Sequence, residues 1–254
     1  MPQHLPTEGA GGLGDVSRTL KETLDWAGDG AAHLRGLMTR MGDEAFRKPS
    51  ALPGWSRAHV LTHVARNADA LINLLTWAKT GKETPMYASR EQRDADIESG
   101  ALRDAAVIRE DVVATSDRLA VAVKAMPKDA WRATVRDGRG NPMPVQGIGW
   151  LRAREMWIHS VDLDVGASFE DFPAPMLREL LTDVTRSLSE RPETPAVRLI
   201  ATDHDQVWFT GEAHGLVSVS GPTADLATWV SGRGRSRALK TDDGSKPPVM
   251  PAWL

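Results

Sequence analysis

The chain has 254 residues, with 31 Lys and Arg against 34 Asp and Glu for a formal charge of −3. That length suits one large domain or two small ones with a real core. The slightly acidic balance argues against a dedicated nucleic-acid binder. No apolar run approaches the ~20 residues of a bilayer crossing, and the opening MPQHLPTEGAGGLG lacks the charged start and apolar middle of a secretory signal.

Residues 1–14 read as a flexible lead, rich in glycine and without periodicity. A helix is expected from about Asp15 as N-cap, with Leu20, Leu24, Ala27, Ala31, Leu34, Leu37 and Met38 at helical spacing. Gly28 and Gly30 weaken its middle. The stretch RKPSALPGW, 47–55, reads as a loop. Ser56 then caps a second helix whose stripe is Val60, Leu61, Val64, Ala68, Leu71, Ile72 and Leu75, ended by Gly81. Ser89 with Gln92 fits a capping box. From there one or two helices run to about Met126, with a break near Gly100. A hairpin or extended loop fits 132–145, and a further helix Gln146 to Leu163.

The texture then changes. Pro173 to Leu188 reads as a helix, followed by β-like runs VRLIAT, QVWFTG and LVSVSG. A helix from Ala224 to Val230, the basic GRGRSR and a mostly irregular tail complete the chain. The expectation is an α+β protein: a four-helix bundle over 15–166 and a small α/β unit over 167–254.

There is no cysteine, so disulfides, thiolate metal ligands and an intrinsic thiol nucleophile are excluded. The chemistry must lie elsewhere. Glu155 and His159 stand four residues apart on one expected helix, so both can point at one spot. One imidazole from a facing helix would complete His, Glu, His, a catalytic zinc set with one open position. His59 and His63, also four apart, offer it. His63 sits a turn deeper and is the favoured ligand, leaving His59 as a supporting, rim or exposed residue. The bland alternative is a carboxylate balanced by Arg152 or Arg154, since a charge among Trp150, Leu151, Met156, Trp157 and Ile158 costs several kcal/mol unless compensated. His4, His33, His204 and His214 are expected at the surface. Arg233, Arg235 and Arg237 form either a solvated basic end or an anion clamp.

Two segments carry a resemblance. LPGWSRAHVLTHVARNADALINLLTWAKTGKETPMY, 52–87, and WLRAREMWIHSVDL, 150–163, resemble the mycothiol-dependent maleylpyruvate isomerase family. The glycine–arginine–glycine of 232–234 and the closing PAWL are similar to its C-terminal domain. The resemblance implies a DinB-like bundle and a smaller C-terminal domain. It implies a divalent metal, zinc, on His63, Glu155 and His159, with mycothiol as thiol cofactor and a functionally important Arg233. The implied reaction is cis–trans isomerisation of maleylpyruvate to fumarylpyruvate, in gentisate-type aromatic catabolism. Reversible thiolate addition would carry it, with Arg233 holding a substrate carboxylate and Arg66 a weaker candidate for the same task. The same site would also serve a mycothiol S-transferase, and a non-enzymatic metal-binding protein is the third reading. The expected partners are small molecules, the setting is cytoplasmic, and a monomer is favoured.

Overall fold

The structure, a computed structural model, describes residues 18–211, 216–234, 236–251 and 253. The expected lead, together with Asp15, His4, His214 and Arg235, lies outside these residues. The chain is α+β, as expected.

Helix α1 spans Leu20–Arg40. Its cap is Thr19, not Asp15: Glu22 N–H donates to Thr19 Oγ1 at 3.2 Å, and Thr19 N–H donates to Glu22 Oε2 at 2.8 Å. The residue that would answer Asp15 in this way is Arg18, which has no carboxylate to reciprocate. Gly30 does not break α1. A Cβ there would lie 2.7 Å from Met156 Cβ, so glycine lets the Met156 and Trp157 side chains of α5 press directly on the α1 backbone.

Helices α2 (Arg57–Thr80), α3 (Arg90–Ala101), α4 (Ala105–Lys124) and α5 (Ile148–Asp162) follow. Helices α1, α2, α4 and α5 are the long members of the bundle, and the short α3 leans on α2. The break after Gly100 is real, and a hairpin of β1 (Thr134–Arg136) with β2 (Pro142–Pro144) precedes α5. Ser89 caps α3 through Gln92 N–H, but the Gln92 side chain turns to Asp96, so only half the expected box forms. Helix α2 runs through the middle, burying Leu61, Val64, Ala68, Leu71 and Leu74 completely. Each such leucine is worth about 1.5–3 kcal/mol of burial.

The C-terminal part comprises α6 (Ala174–Ser189), β3 (Val197–Ala201), β4 (Val207–Thr210), β5 (Val217–Gly221), α7 (Thr223–Val230) and β6 (Lys240–Thr241). The sheet order is β4-β3-β5-β6; β3 and β5 are parallel, and the outer pairs antiparallel. Lys240 and Thr241 form a two-residue edge strand where the expected irregular tail begins, and the described residues after it are irregular, as expected. Val197, Leu199 and Ala201 alternate toward α6, whose Met176, Leu177, Leu180, Leu181, Val184 and Leu188 form the facing stripe.

One apolar cluster joins the two parts. It includes Trp26 of α1, Trp150 and Trp157 of α5, the α6 stripe, Trp229 and Trp253. Six of the nine tryptophans are buried, so most are core. Among the described residues, no helix is long and apolar enough to cross a membrane.

Candidate metal centre

Ser56 starts α2, and its partner in the capping box is His59: Ser56 N–H donates to His59 Nδ1 at 3.2 Å. His59 Nδ1 is therefore an acceptor, and its Nε2 faces Glu98 at 3.2 Å. His59 thus terminates a helix and does not join the triad. One turn further along α2, His63 points into the bundle and is 7% exposed.

From α5, Glu155 and His159 meet it. His63 Nε2 lies 2.8 Å from Glu155 Oε2, and His159 Nε2 lies 3.1 Å from the same oxygen. The two imidazoles meet edge to face with centroids 4.7 Å apart. One donor atom from each residue lies within 4.8 Å of the others. This donor set fits a divalent cation such as zinc, which takes imidazole nitrogen and carboxylate oxygen with a fourth position open.

The partners of the triad fit the same use. His159 Nδ1 faces Asp162 Oδ2 at 2.9 Å, the arrangement by which a carboxylate fixes a ligand imidazole and leaves Nε2 free. Asp162 is fully buried in the last turn of α5. Its charge is answered by Arg233, with Nε 2.8 Å from Oδ1 and Nη2 3.1 Å from Oδ2. Local chemistry puts Arg233 there. Helix α7 ends in a Schellman turn in which Gly232 adopts φ +75°, Gly232 N–H donates to the Trp229 carbonyl and Arg233 N–H to that of Thr228. The chain then doubles back and aims Arg233 at the end of α5.

Charge states follow from this packing. Burial would push Glu155 up, but His63 and His159 hold it well below the usual carboxylate range. Burial would lower His159 also, yet hydrogen bonds with Asp162 and Glu155 raise it to about 9. In His63, burial wins and the pKa is lowered despite Glu155. Arg152 is buried and gives its hydrogens to the Val64 carbonyl, Asn67 Oδ1 and Ser116 Oγ. Burial lowers it to about 10, with Glu155 opposing. Arg154 turns away to Asp183. Arg152 and Arg154, the alternative partners for Glu155, therefore have other direct partners, and Glu155 is hydrogen-bonded by the histidines.

The remaining expected residues fall as follows. Arg66 is closed on Asp111, at 2.7 and 2.9 Å, and on Asp69. Arg233 holds Asp162, with its side chain 8% exposed. Both forks are engaged by carboxylates. His33 and His204 are half-buried, not surface residues: His33 stacks on Trp157 and His204 faces Thr223. Sequence reading missed Asp162, although its spacing three after His159 on one helix was a usable signal. It also missed Arg93, whose Nη2 lies 3.2 Å from His63 Nδ1, and Tyr87 beneath it, for which no local pattern gives notice. Trp55 packs against His63, with ring centroids 5.7 Å apart.

The chain and its fold have known counterparts. A model described as the mycothiol maleylpyruvate isomerase N-terminal domain matches residues 27–164, and one for the C-terminal domain of that family matches 171–251. The solved structure of a mycothiol-dependent maleylpyruvate isomerase is 33% identical, with TM-score 0.88, covering 93% of this chain and 98% of the other. A histidine-to-alanine mutant of the mycothiol-dependent maleylpyruvate isomerase matches with the same figures. Both parts of the chain therefore have one assignment: the chain is an enzyme of the mycothiol-dependent maleylpyruvate isomerase family.

Proposed function

We propose that this chain catalyses the mycothiol-dependent isomerisation of maleylpyruvate to fumarylpyruvate, with zinc held by His63, Glu155 and His159. The observation that carries the reading is the convergence of these three side chains, 2.8–3.1 Å apart at Glu155 Oε2, in a chain without cysteine. The reaction needs a reversible nucleophile, because a cis double bond conjugated to a carbonyl rotates only once it becomes single. When bound, zinc supplies a Lewis acid that favours deprotonation of a thiol, and mycothiol supplies that thiol. Addition, rotation and elimination leave the atom count unchanged.

The chain's own residues hold and orient. Glu155 contributes the negative charge among the ligands. Asp162 fixes the ring of His159 through Nδ1, and Arg233 fixes Asp162. We therefore assign Arg233 a positioning role, acting through Asp162. Trp55 walls His63 off on one side, and Arg152 lends a buried positive charge where addition builds negative charge on the substrate. A role in aromatic catabolism and a cytoplasmic setting belong to the same reading.

The test is an assay of maleylpyruvate with and without mycothiol. Loss of the substrate's absorbance band only with the thiol present supports the isomerase. Silence there, with thiol conjugation of a model electrophile, would reassign the site to an S-transferase.

A further inference from the structure

A doubly charged substrate needs a cation beside the metal, and the arginines near the triad differ in what they already hold. Arg66 is closed on Asp111 and Asp69, Arg233 on buried Asp162, and Arg152 on three neutral acceptors inside the bundle. Among the described residues, Arg93 is the guanidinium within hydrogen-bond reach of a triad ligand, at 3.2 Å from His63 Nδ1. Its side chain is 26% exposed, and its ion-pair partner is the exposed neighbour Asp94. An exposed pair of this kind is worth ~0–1 kcal/mol and yields readily to a better partner. Tyr87 supports the guanidinium from below, with the cation 5.7 Å from the ring centroid.

The contact with His63 is conditional. Arginine can only donate, so His63 Nδ1 accepts and the ring hydrogen sits on Nε2, toward Glu155. Once Nε2 gives its lone pair to a cation, the ring hydrogen must sit on Nδ1. Two donors then face each other, and the attraction between Arg93 and His63 is lost. The Arg93 fork, beside the triad on the Nδ1 side of His63, is then free to take another acceptor.

We infer that Arg93 is the specificity-determining cation of this site, holding one carboxylate of a dicarboxylate substrate while the reacting end lies at the triad. The inference rests on the isomerase reading above for the nature of the substrate. A guanidinium fork matches a carboxylate in two parallel hydrogen bonds, which also fixes orientation.

The test uses maleate and acetate as probes, titrated calorimetrically into the purified, zinc-supplemented protein with no thiol present. Wild type is expected to bind maleate at least about tenfold more tightly than acetate. Arg93→Gln is expected to bring the two within about twofold, and Arg93→Lys to keep part of the preference. Arg35→Gln, which alters only a surface pair with Asp117, should behave as wild type. Circular dichroism and melting curves check that each variant folds. An unchanged preference in Arg93→Gln, or no preference in wild type, overturns the inference. If maleylpyruvate turnover is absent but the preference exists and depends on Arg93, the isomerase reading fails while the dicarboxylate site stands. Turnover with a preference indifferent to Arg93 sinks the Arg93 inference alone.

Discussion

Arg233 reaches from the turn after α7 to the last turn of α5 and grips Asp162 through two hydrogen bonds of 2.8 and 3.1 Å. Both side chains are buried, at 8% and 0% exposure. A carboxylate at a helix C-terminus faces the negative end of the dipole, so Asp162 depends on this partner and on His159.

Arg233→Ala would leave that carboxylate buried beside one imidazole. Removing one member of a buried pair costs about 3–5 kcal/mol, so a large fall in melting temperature is expected. Metal retention should fall with it, because His159 loses its fixed orientation. Arg233→Lys should recover only part of the stability, since an ammonium cannot make the two parallel bonds. Equal melting curves for wild type and Arg233→Ala would show that the pair does not matter to the fold.

The metal set is checked by comparing Glu155→Gln with His59→Ala. Elemental analysis of protein purified without chelator should find about one divalent metal per chain. Glu155→Gln removes the ligand charge and should lose most of that metal. His59→Ala removes the acceptor for the Ser56 N–H and should cost about 0.5–1.5 kcal/mol of stability while the metal stays. The reverse ranking would mean that the wrong histidine of the pair was assigned to the ion.

This contrast also shows what was readable before the fold. The i, i+4 spacing of Glu155 and His159 and the caps Ser56 and Gly81 are local, and local spacing carries through to the structure. The capping box at Thr19 and Glu22 is equally local, yet Asp15 offers a capping residue type four positions earlier. Arg233 stood out in the sequence, but its partner lies 71 residues away. Only the Schellman turn and the packing of the C-terminal part bring them together. Arg93 and Tyr87 depend in the same way on how α3 leans on α2, which no periodicity encodes.

Gly30 is a tight point of the contact between α1 and α5. A Cβ there would meet Met156 Cβ at 2.7 Å and the Trp157 ring at 2.8 Å. Helix propensity favours alanine by ~1 kcal/mol, but overpacking costs about 1–3 kcal/mol. Gly30→Ala should therefore destabilise, and Gly30→Val more so. Because Met156 adjoins Glu155, a weaker hold on metal should accompany the loss. Chemical denaturation with and without zinc separates the two effects. A stabilised Gly30→Ala would show that the helices part easily.

Asp183 of α6 supplies the pH dependence. It accepts from Trp150 Nε1 at 3.0 Å and pairs with Arg154 at 2.6 Å, both on α5, and with Arg186 on its own helix. Burial would raise its pKa, but Arg154, the Trp150 hydrogen bond and Arg186 together leave it lowered. A carboxyl with a lowered folded pKa contributes its full stability above the unfolded value, ~3.9, and loses it as pH falls through the folded value. Asp183→Asn should thus cost about 3 kcal/mol near pH 7 by unpairing a mostly buried Arg154. The gap between variant and wild type should hold down to about pH 5 and narrow below pH 4. Urea melts across that range provide the measurement. A gap that stays constant to pH 2 would mean that Asp183 acts through shape and hydrogen bonding alone, with its charge contributing nothing to the union of the helical and C-terminal parts.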